Sequence, residues 1–580
     1  MASPGLLLTA AALFFGMPQC FAAAPNWAAL NSSLDGRLFS LVPMAYPCYT
    51  KYNGAAKTPD VTACAAINAK KRNTEFVAGQ VGGAILANWG ICQATNAGCP
   101  VSLTSSGILD ANCDQGSVAD YYVDVRAPSD VQEALKFANQ NGIQVVIKNT
   151  GHDYLGRSTA PKALSLWTHN YQPPITLANE FVPEGCSAAV GKVITFGAGQ
   201  QFDGIYKFAE ANSVTVVGGS GATVGAAGWL SGGGHGLLSP VFGLGVDNVQ
   251  QFKVVLPNGT FVTANRCKNQ DIFFALRGGG GGTFGVVMEI STTAHPKQTV
   301  QYAVFQLGSL SLSQKRDFLK LLVAHANQWL ADGWGGDSYP LGTRPTIELV
   351  NPLLDKPGAS KSLKALIEFV SSLPKASYSI TTYNSWYALF TEKISGQYSS
   401  YASYGAAMSS RLIPSANFVG ARNQELLVDA LLAGALPNIY AMLCIAPPAR
   451  TADDGTALSP AWRRSTWHFM FITRWDPSKT DSAQIQAAFD LVHETIEPLR
   501  KLTPSAAVYI NEADVLEADT PALFWGVDNY QKLLKIKRQL DPNNVLQVHG
   551  GVGSDRKASM FQCYPKRKTA VKNSNERDDL

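Results

Sequence analysis

Three glycine-bearing segments, one of which contains a histidine, have the residue types that binding of a phosphate-bearing ligand requires. The segments span 150–158, 218–236 and 277–285, and His152 lies in the first of them. Glycine lets backbone N–H groups approach a pyrophosphate closely and adopt positive φ, which creates concave anion-binding sites. Three such segments in one chain predict an extended dinucleotide lying along the protein. The alternative is that these glycines only form tight turns.

The run 278–285 contains a formal Gly-x-Gly-x-x-Gly pattern, but its surroundings argue against a Rossmann site. That fingerprint requires a preceding strand, a following helix and an acidic residue about 20 positions later. Here a strand-like run, 286–290, follows the glycines, and no acid lies near Phe305, where one is required. The sequence therefore favours another mode of dinucleotide binding.

Further reactive side chains lie on two predicted strands. In the run 509–515, alternation places Tyr509 and Asn511 on one face. Glu512 and Asp514 fall on the opposite face, where we expect a structural role. In the run 465–473, Trp467 and His468 are expected to belong to a packed core strand, with a role at the site as the less favoured alternative.

The elements that must position His152 begin as a βαβ-like unit. The pattern predicts a strand at 121–126, a helix over 128–139 with Ser129 as its N-cap, and a strand at 144–148 that leads into the His152 loop. A hairpin is predicted for 252–256 and 260–263 around Asn258-Gly259. Short strands and glycine turns thus dominate the chain up to about 297.

Beyond residue 297 the pattern changes. Amphipathic helices are predicted for 310–331 and 360–375, a buried strand for 465–473, and a helix for 529–540 that ends at Asp541-Pro542. We interpret 300–505 as a separate α+β domain.

Composition limits the possible partners. The chain has 580 residues with 47 basic and 43 acidic side chains, a net charge of +4, and no basic stripe. Such a chain is expected to fold as two or three domains and to bind no nucleic acid. No run beyond the N-terminal segment is long and apolar enough for a membrane helix, so no membrane partner is expected.

The N-terminal segment and the cysteines together predict secretion. The apolar run 5–18, followed by small residues, predicts a signal peptide over 1–22, although it lacks a basic residue and a buried segment is the alternative. Five of ten cysteines lie within 48–113 and predict at least two disulfides there, of open connectivity. Cys444 is expected to be free and buried. Zinc would require closely spaced Cys or His pairs, so we expect no metal site. Asn31 and Asn258 lie in glycosylation sequons.

Several ordered motifs resemble one family. The segment 149–158 resembles the flavin-attachment loop of the vanillyl-alcohol-oxidase superfamily, which has a PCMH-type FAD domain. The match is closest to berberine bridge enzyme-like proteins of the fungal isoamyl alcohol oxidase type. Segments 224–249 and 271–285 resemble further flavin-binding parts, and 509–512 and 541–544 resemble the family's C-terminal return. The resemblance covers about 120–297 and 506–550.

The resemblance implies an α+β fold. A two-part PCMH-type FAD-binding domain would comprise 117–299 and a C-terminal return over 506–560. A substrate domain, an antiparallel sheet covered by helices, would comprise 300–505. The cysteine and charge patterns of the sequence itself predict a cysteine-rich N-terminal segment over 23–116 and a disordered tail over 561–580.

The resemblance also implies that FAD is bound covalently, with an 8α-linkage to His152. Many relatives add a second link through a cysteine at the position that Gly221 occupies here, so a single link is expected. Other residues implied in cofactor binding are Thr150, Gly151, Asp153, Gly156, Arg157, Ser158, Gly221, Val224, Gly225, Ser231, Gly232, Gly233, His235, Gly236, Val246 and Asn544.

The catalytic residues implied by the resemblance are Tyr509 and Asn511. Tyr509 would handle a proton or orient the substrate, and as a base its pKa of about 10 would have to be lowered by its surroundings. Asn511 would help to orient the site.

The implied activity is oxidation of an alcohol or related small molecule by hydride transfer to flavin. Secretion favours O₂ as the acceptor, giving H₂O₂, and Val224 is the small type of residue found in oxygen-accepting members. A monomer is expected. Alternatives are a secondary-metabolite tailoring enzyme, performing dehydrogenation or oxidative cyclisation, and a flavoprotein that catalyses a non-redox cyclisation.

Overall fold

The computed structural model describes residues 24–447 and 455–567. The predicted signal peptide over 1–22 lies outside the described residues. Among the helices that the structure describes, none has the length and hydropathy needed to cross a bilayer.

The N-terminal part consists of short elements joined by loops. A small sheet has the order β3-β2-β4, and disulfides Cys48–Cys64 and Cys99–Cys113 close this region. Both predicted N-terminal disulfides are therefore confirmed. The elements are α1 Trp27–Ser33, β1 Leu38–Ser40, β2 Tyr49–Tyr52, β3 Ala55–Ala56, α2 Val61–Lys70, α3 Thr74–Ala78 and β4 Leu109–Cys113.

The next part builds two sheets that carry the glycine segments. Its elements are β5 Tyr121–Asp124, α4 Pro128–Asn141, β6 Val145–Lys148, β7 Leu164–Trp167, β8 Thr176–Ala178, β9 Val193–Gly197, α5 Phe202–Ala211, β10 Val214–Thr215, α6 Ala226–Ser231, α7 Ser239–Phe242, α8 Gly245–Asn248, β11 Val249–Val255, β12 Phe261–Asn265, α9 Gln270–Leu276, β13 Val286–Thr293 and β14 His295–Pro296.

The first of these sheets has the order β1-β5-β7-β6, with β5, β7 and β6 parallel. Helix α4 covers it through Val131, Leu135 and Ala138 and ends at Gly142, whose φ is +64°. The predicted N-cap was wrong: Ala127 caps the helix, because the Asp130 carboxylate accepts the backbone N–H groups of Arg126 and Ala127.

The second sheet is antiparallel with the order β12-β11-β13-β9-β8. The predicted hairpin is confirmed as the β11–β12 pair, and Asn258 is exposed in its turn. Asn31, the other sequon asparagine, is half-buried, and its side chain accepts the N–H of Leu38.

The third part is a seven-stranded antiparallel sheet with the order β18-β15-β17-β16-β20-β21-β19. Helices pack on one face around Trp329, Trp334 and Phe469. The elements are β15 Val300–Gln306, α10 Leu312–Ala331, β16 Gly335–Ser338, β17 Thr346–Asn351, α11 Lys356–Ser362, α12 Lys364–Ser371, β18 Ser377–Tyr383, α13 Trp386–Leu389, β19 Gly405–Pro414, α14 Ala421–Ala433, β20 Tyr440–Ile445, β21 Ser465–Trp475, α15 Ser482–Thr495 and α16 Glu497–Leu502.

The predictions for this part hold except at one helix. Helix α10 and strand β21 match the sequence patterns, whereas the helix predicted for 360–375 is divided at Leu363 into α11 and α12. The α+β fold class, with an antiparallel sheet covered by helices, is confirmed.

The C-terminal part returns to the first sheet. Helices α17 Thr520–Phe524 and α18 Val527–Leu540 precede a bridge between Leu546 and Val145. The strand predicted for 509–515 was wrong: these residues form turns, and the backbone N–H of Glu512 donates to the carbonyl of Tyr509.

The tail predicted from residue 561 begins too early. Cys563 forms a disulfide with Cys92, and Tyr564 stacks on His549 with ring centroids 3.9 Å apart. Residues 568–580 lie outside the described part. A fourth disulfide joins Cys186 to Cys267, and Cys444 is free and buried, as predicted.

Disulfide mapping of the unreduced protein should recover four linked peptide pairs. The pair that the sequence could not indicate is Cys92–Cys563, which is separated by 471 residues. Cys444 serves as the internal control, because as a buried thiol it should be alkylated only after unfolding. Alkylation of Cys92 or Cys563 without reduction would contradict this connectivity.

Candidate active site

One cavity of about 390 Å³ lies between the glycine segments and the uncovered face of the seven-stranded sheet. Most of the predicted site residues meet there although they are far apart in sequence. Those that line it are Thr150, Gly151, His152, Asp153, Arg157, Ser158, Gly221, Val224, Gly225, Ser231, His235, Gly236, Tyr509 and Asn511.

Five predicted cofactor-binding residues do not line this cavity: Gly156, Gly232, Gly233, Val246 and Asn544. Val246 is fully buried in the core, and Asn544 donates to Gln547. The three glycines allow close packing: a Cβ would lie 2.4 Å from Trp89 at Gly156, 2.4 Å from Asn511 at Gly232 and 2.8 Å from Leu458 at Gly233. Close packing is therefore what these three glycines provide.

The cavity has the features that a dinucleotide requires. Backbone from all three glycine segments borders it, and Gly282 there has a φ of +74°. The Oδ1 atom of Asn149, a buried oxygen of a lining residue, accepts no hydrogen bond from any described residue. Beyond Gly281 there is open space, since a Cβ would meet no atom closer than 3.9 Å. The residues present therefore fit FAD.

His152 is held between two hydroxyl groups. Its Nε2 lies 2.7 Å from Thr223 Oγ1, and its Nδ1 lies 2.9 Å from Tyr401 Oη. Burial lowers the pKa of His152 to about 3, so the imidazole is neutral at ordinary pH and one ring nitrogen carries a lone pair. A neutral imidazole is the form that can act as a nucleophile.

A buried lysine, Lys148, ends the strand that leads into the His152 loop. Lys148 Nζ donates to the carbonyl oxygens of Gln80, Val81 and Gly83, and burial lowers the pKa of Lys148 to about 7. Sequence inspection did not identify this lysine, because its three partners lie about 65 residues away along the chain.

A chain of polar contacts joins the His152 loop to the C-terminal return. Arg157 Nε lies 2.9 Å from Asp153 Oδ2, and its Nη2 donates to Asn511 Oδ1 at 2.8 Å. Asn511 Nδ2 in turn donates to Tyr509 Oη at 2.6 Å. Tyr509 and Asn511 are therefore hydrogen-bonded to each other and both line the cavity, although the backbone that carries them is not the predicted strand.

The surroundings of Tyr509 oppose a role as a base. Burial raises its pKa, and the nearby charge of Glu512 raises it further, opposite to the lowering that general-base catalysis would require. Since its oxygen already accepts the Asn511 amide, the hydroxyl proton remains available for donation to a substrate oxygen. The geometry favours the orienting role over the proton-accepting one.

Glu512 was predicted on the face away from the site, and this was wrong. It lines the cavity, and its Oε2 atom lies 2.9 Å from both His235 Nε2 and His468 Nε2. The prediction failed because it assumed a strand. His468 lies on β21 and is fully buried, as expected, but its ring faces Glu512.

The charges in this cluster are interdependent. Burial alone would raise the pKa of Glu512, but the charge and hydrogen bond of His235, together with His468, hold it well below its usual value. Burial lowers the pKa of His468, whereas Glu512 raises the pKa of His235 against the effect of burial. One atom each of His235, His468 and Glu512 lies within 4.8 Å of the other two. Both 2.9 Å contacts are hydrogen bonds from an imidazole N–H to the carboxylate.

The sheet side of the cavity was largely missed by sequence inspection. Met408, Met442, Met470 and Ile472 form an apolar wall contributed by β19, β20 and β21. Opposite charges and hydroxyls come from Asp337, Tyr339, Tyr398 and Arg474. The one available signal was the alternation along β21, which places His468, Met470, Ile472 and Arg474 on one face.

Comparison with known proteins gives two family matches. Residues 119–265 match the model of an FAD-binding domain, and residues 508–553 match the model described as berberine and berberine-like. The two matched segments contain the His152 loop and the Tyr509–Glu512 turn.

Similar proteins match over nearly the whole chain. An FAD-linked oxidoreductase of Aspergillus flavipes is 34% identical, and the alignment covers 94% of this chain and 95% of the relative. A VAO-type flavoprotein oxidase of Thermothelomyces thermophilus is 30% identical over 91% of each chain. The crystal structure of the VAO-type flavoprotein MtVAO615 from Myceliophthora thermophila superposes with a TM-score of 0.77 at 27% identity, covering 92% of this chain and 96% of that chain.

Proposed function

We propose a function for this chain from its family: it belongs to the vanillyl-alcohol-oxidase and berberine bridge enzyme-like family of FAD-linked oxidoreductases. The proposed function is that of a secreted oxidase of small-molecule alcohols with O₂ as the electron acceptor. The observation that supports this best is the arrangement of neutral His152 and the Tyr509–Asn511–Glu512 turn around one cavity. The cavity brings a site for flavin attachment to the same space as groups that can hold a hydroxyl.

FAD would lie along the three glycine segments, bonded through its 8α position to His152. When bound, FAD supplies a two-electron acceptor that O₂ can reoxidise, with release of H₂O₂. The Asn149 amide and the backbone beside Gly281 and Gly282 would contact the cofactor. Tyr509 would donate its hydroxyl proton in a hydrogen bond to the substrate oxygen, and Asn511 would hold Tyr509 in place.

Secretion is supported by the cysteine chemistry. Four disulfides involve eight of the ten cysteines, a pattern typical of an oxidising compartment. In such a compartment O₂ is an available acceptor, and Val224 lines the cavity with a small side chain. The protein is proposed to act as a monomer.

A tailoring enzyme for a hydrophobic secondary metabolite is the second candidate. The wall of Met408, Met442, Met470 and Ile472 favours a substrate with an apolar body over a carbohydrate, because thioethers pack adaptably against irregular apolar surfaces. The two candidate functions share the same oxidation reaction and differ in the substrate.

Anaerobic mixing with a panel of alcohols tests the proposed function. A substrate should bleach the oxidised flavin absorbance, and admission of O₂ should restore the absorbance with one H₂O₂ per reduction. The panel should include primary aliphatic, aromatic and polycyclic alcohols with oligosaccharides as the matched polar set, and we expect the apolar alcohols to react faster. Product formation without bleaching would instead support the non-redox cyclisation.

A further inference from the structure

The carboxylate of Glu512 has one oxygen engaged and one available. Oε2 is the atom that both imidazole N–H groups contact, and within the part of the chain that the structure describes Oε1 has no hydrogen-bond donor. The side chain lines the cavity with 16% of its surface exposed. Oε1 is therefore the oxygen that a ligand hydroxyl can reach.

Of the other cavity carboxylates, Asp153 is more fully occupied than Glu512, whereas Asp337 resembles Glu512 in having its hydrogen bonds on one oxygen. Both oxygens of Asp153 accept N–H groups of Arg157. Asp337 Oδ2 lies 3.0 Å from Ser220 Oγ and 3.4 Å from Tyr398 Oη, so it serves two hydroxyls of the protein itself. Glu512 lies beside Tyr509, the group that orients the substrate oxygen, and it is the carboxylate best placed to accept the hydroxyl proton.

We propose that Glu512 is the catalytic base of the oxidation, and that His235 and His468 are positioning residues that direct its Oε1 atom into the cavity. This inference rests on the proposed function and assigns the proton step of that reaction. The substrate O–H bond breaks and its proton moves to Glu512 Oε1. The carbon–hydrogen bond breaks as well, and its electron pair leaves with the hydrogen to flavin, so the alcohol becomes a carbonyl and the flavin is reduced.

A weakly basic carboxylate suffices for this step. As the hydride leaves the carbon, the C–O–H group of the substrate becomes a protonated carbonyl. The O–H proton of that group is strongly acidic. The base therefore needs correct placement and full ionisation more than a high pKa. The two imidazole donors provide both, since they fix the orientation of the carboxylate and stabilise its charged form.

Other titratable groups lie near enough to Glu512 to feel its charge, but His235 and His468 set the direction of its response to pH. Beyond His235 and His468 they are Tyr154, Tyr401, Cys444 and Tyr509. A folded pKa below the usual value means that the ionised form persists as pH falls. The wild-type rate of flavin reduction should therefore stay level as pH is lowered through about 4.3, the ordinary pKa of glutamate.

The test compares anaerobic flavin reduction by the best alcohol of the panel across a variant series. Glu512→Gln should slow reduction by about 10²–10⁴, the range of general-base catalysis, with covalent flavin content unchanged. Tyr509→Phe should slow flavin reduction by about tenfold, the loss of one orienting hydrogen bond.

The histidine variants test the positioning role through the pH profile. His235→Phe removes one hydrogen-bond donor to Glu512 and should raise the pH below which flavin reduction slows. His235→Gln restores an N–H donor and should return that pH towards the wild-type value. His468→Gln and His468→Phe provide an independent pair if either His235 variant fails to fold.

A second readout needs no substrate. Infrared difference spectra of wild type against Glu512→Gln report the carboxylate bands of Glu512, which should persist below pH 4.3 and titrate at higher pH in His235→Phe. Wild type treated with a chelator should reduce flavin at the untreated rate. A rate that falls on chelation would overturn the proposal and indicate a metal centre at His235, His468 and Glu512. An unchanged rate in Glu512→Gln, a larger loss in Asp337→Asn, or a protonated Glu512 at pH 5 would overturn the proposal. A wild type that no alcohol reduces would instead overturn the proposed function.

Discussion

Replacing His152 with alanine should remove all covalently bound flavin. Acid-precipitated wild type is expected to remain yellow and fluorescent, whereas the flavin of His152→Ala, where any is bound, should pass into the supernatant. The physical reason is that burial keeps the imidazole neutral, with a pKa of about 3, beside the Thr223 and Tyr401 hydroxyls. Absorbance of the washed precipitate and in-gel fluorescence measure the result.

The matched control is His325→Ala, on the helix α10 that covers the far side of the seven-stranded sheet. His325 stacks on Trp329 and does not line the cavity, so its loss should leave the flavin bound. Peptide mapping should find flavin on a single peptide, the one that contains His152, because Gly221 offers no side chain to bond. A flavinylated peptide from 217–236, or a colourless wild-type precipitate, would refute the single linkage.

The local parts of the site could be predicted from the sequence because their signals are local. The glycine segments and the His152 loop carry their information in neighbouring residues, and all three segments border the cavity. The βαβ-like start was likewise readable, since periodicity and Gly142 mark α4 and its end. Even there the cap was misassigned, because an acidic side chain in the first turn replaced the expected serine.

The proton-handling side of the site could not be predicted, because it depends on contacts between distant segments. A two-residue period at 509–515 suggested a strand, yet the segment turns so that Tyr509, Asn511 and Glu512 all reach the cavity. The partners of Glu512 lie 277 and 44 residues away in sequence, at His235 and His468. Burial of this carboxylate is possible only because both donors arrive from other segments, and no local pattern records that.

The same dependence on distant contacts should make Arg157 a stability determinant. Its side chain is 5% exposed, and it joins Asp153 in the His152 loop to Asn511 in the C-terminal return. Arg157→Met keeps most of the apolar stem but leaves a largely buried carboxylate without its cation. Because an uncompensated charge in such a place is costly, we expect the free energy of unfolding to fall by about 3 kcal/mol.

Arg316→Met is the control that separates burial from charge. Arg316 also contacts two groups, Glu425 and Asp429, at 2.6 Å each, but it is 37% exposed and its partners are more exposed still. Solvent screens such pairs, so the free energy of unfolding should fall much less than it does in Arg157→Met. Urea midpoints followed by flavin fluorescence and by circular dichroism measure both variants. Equal losses of unfolding free energy in the two variants would contradict the prediction. Only a buried link between the two segments of the site should cost more to remove than a solvent-screened surface pair.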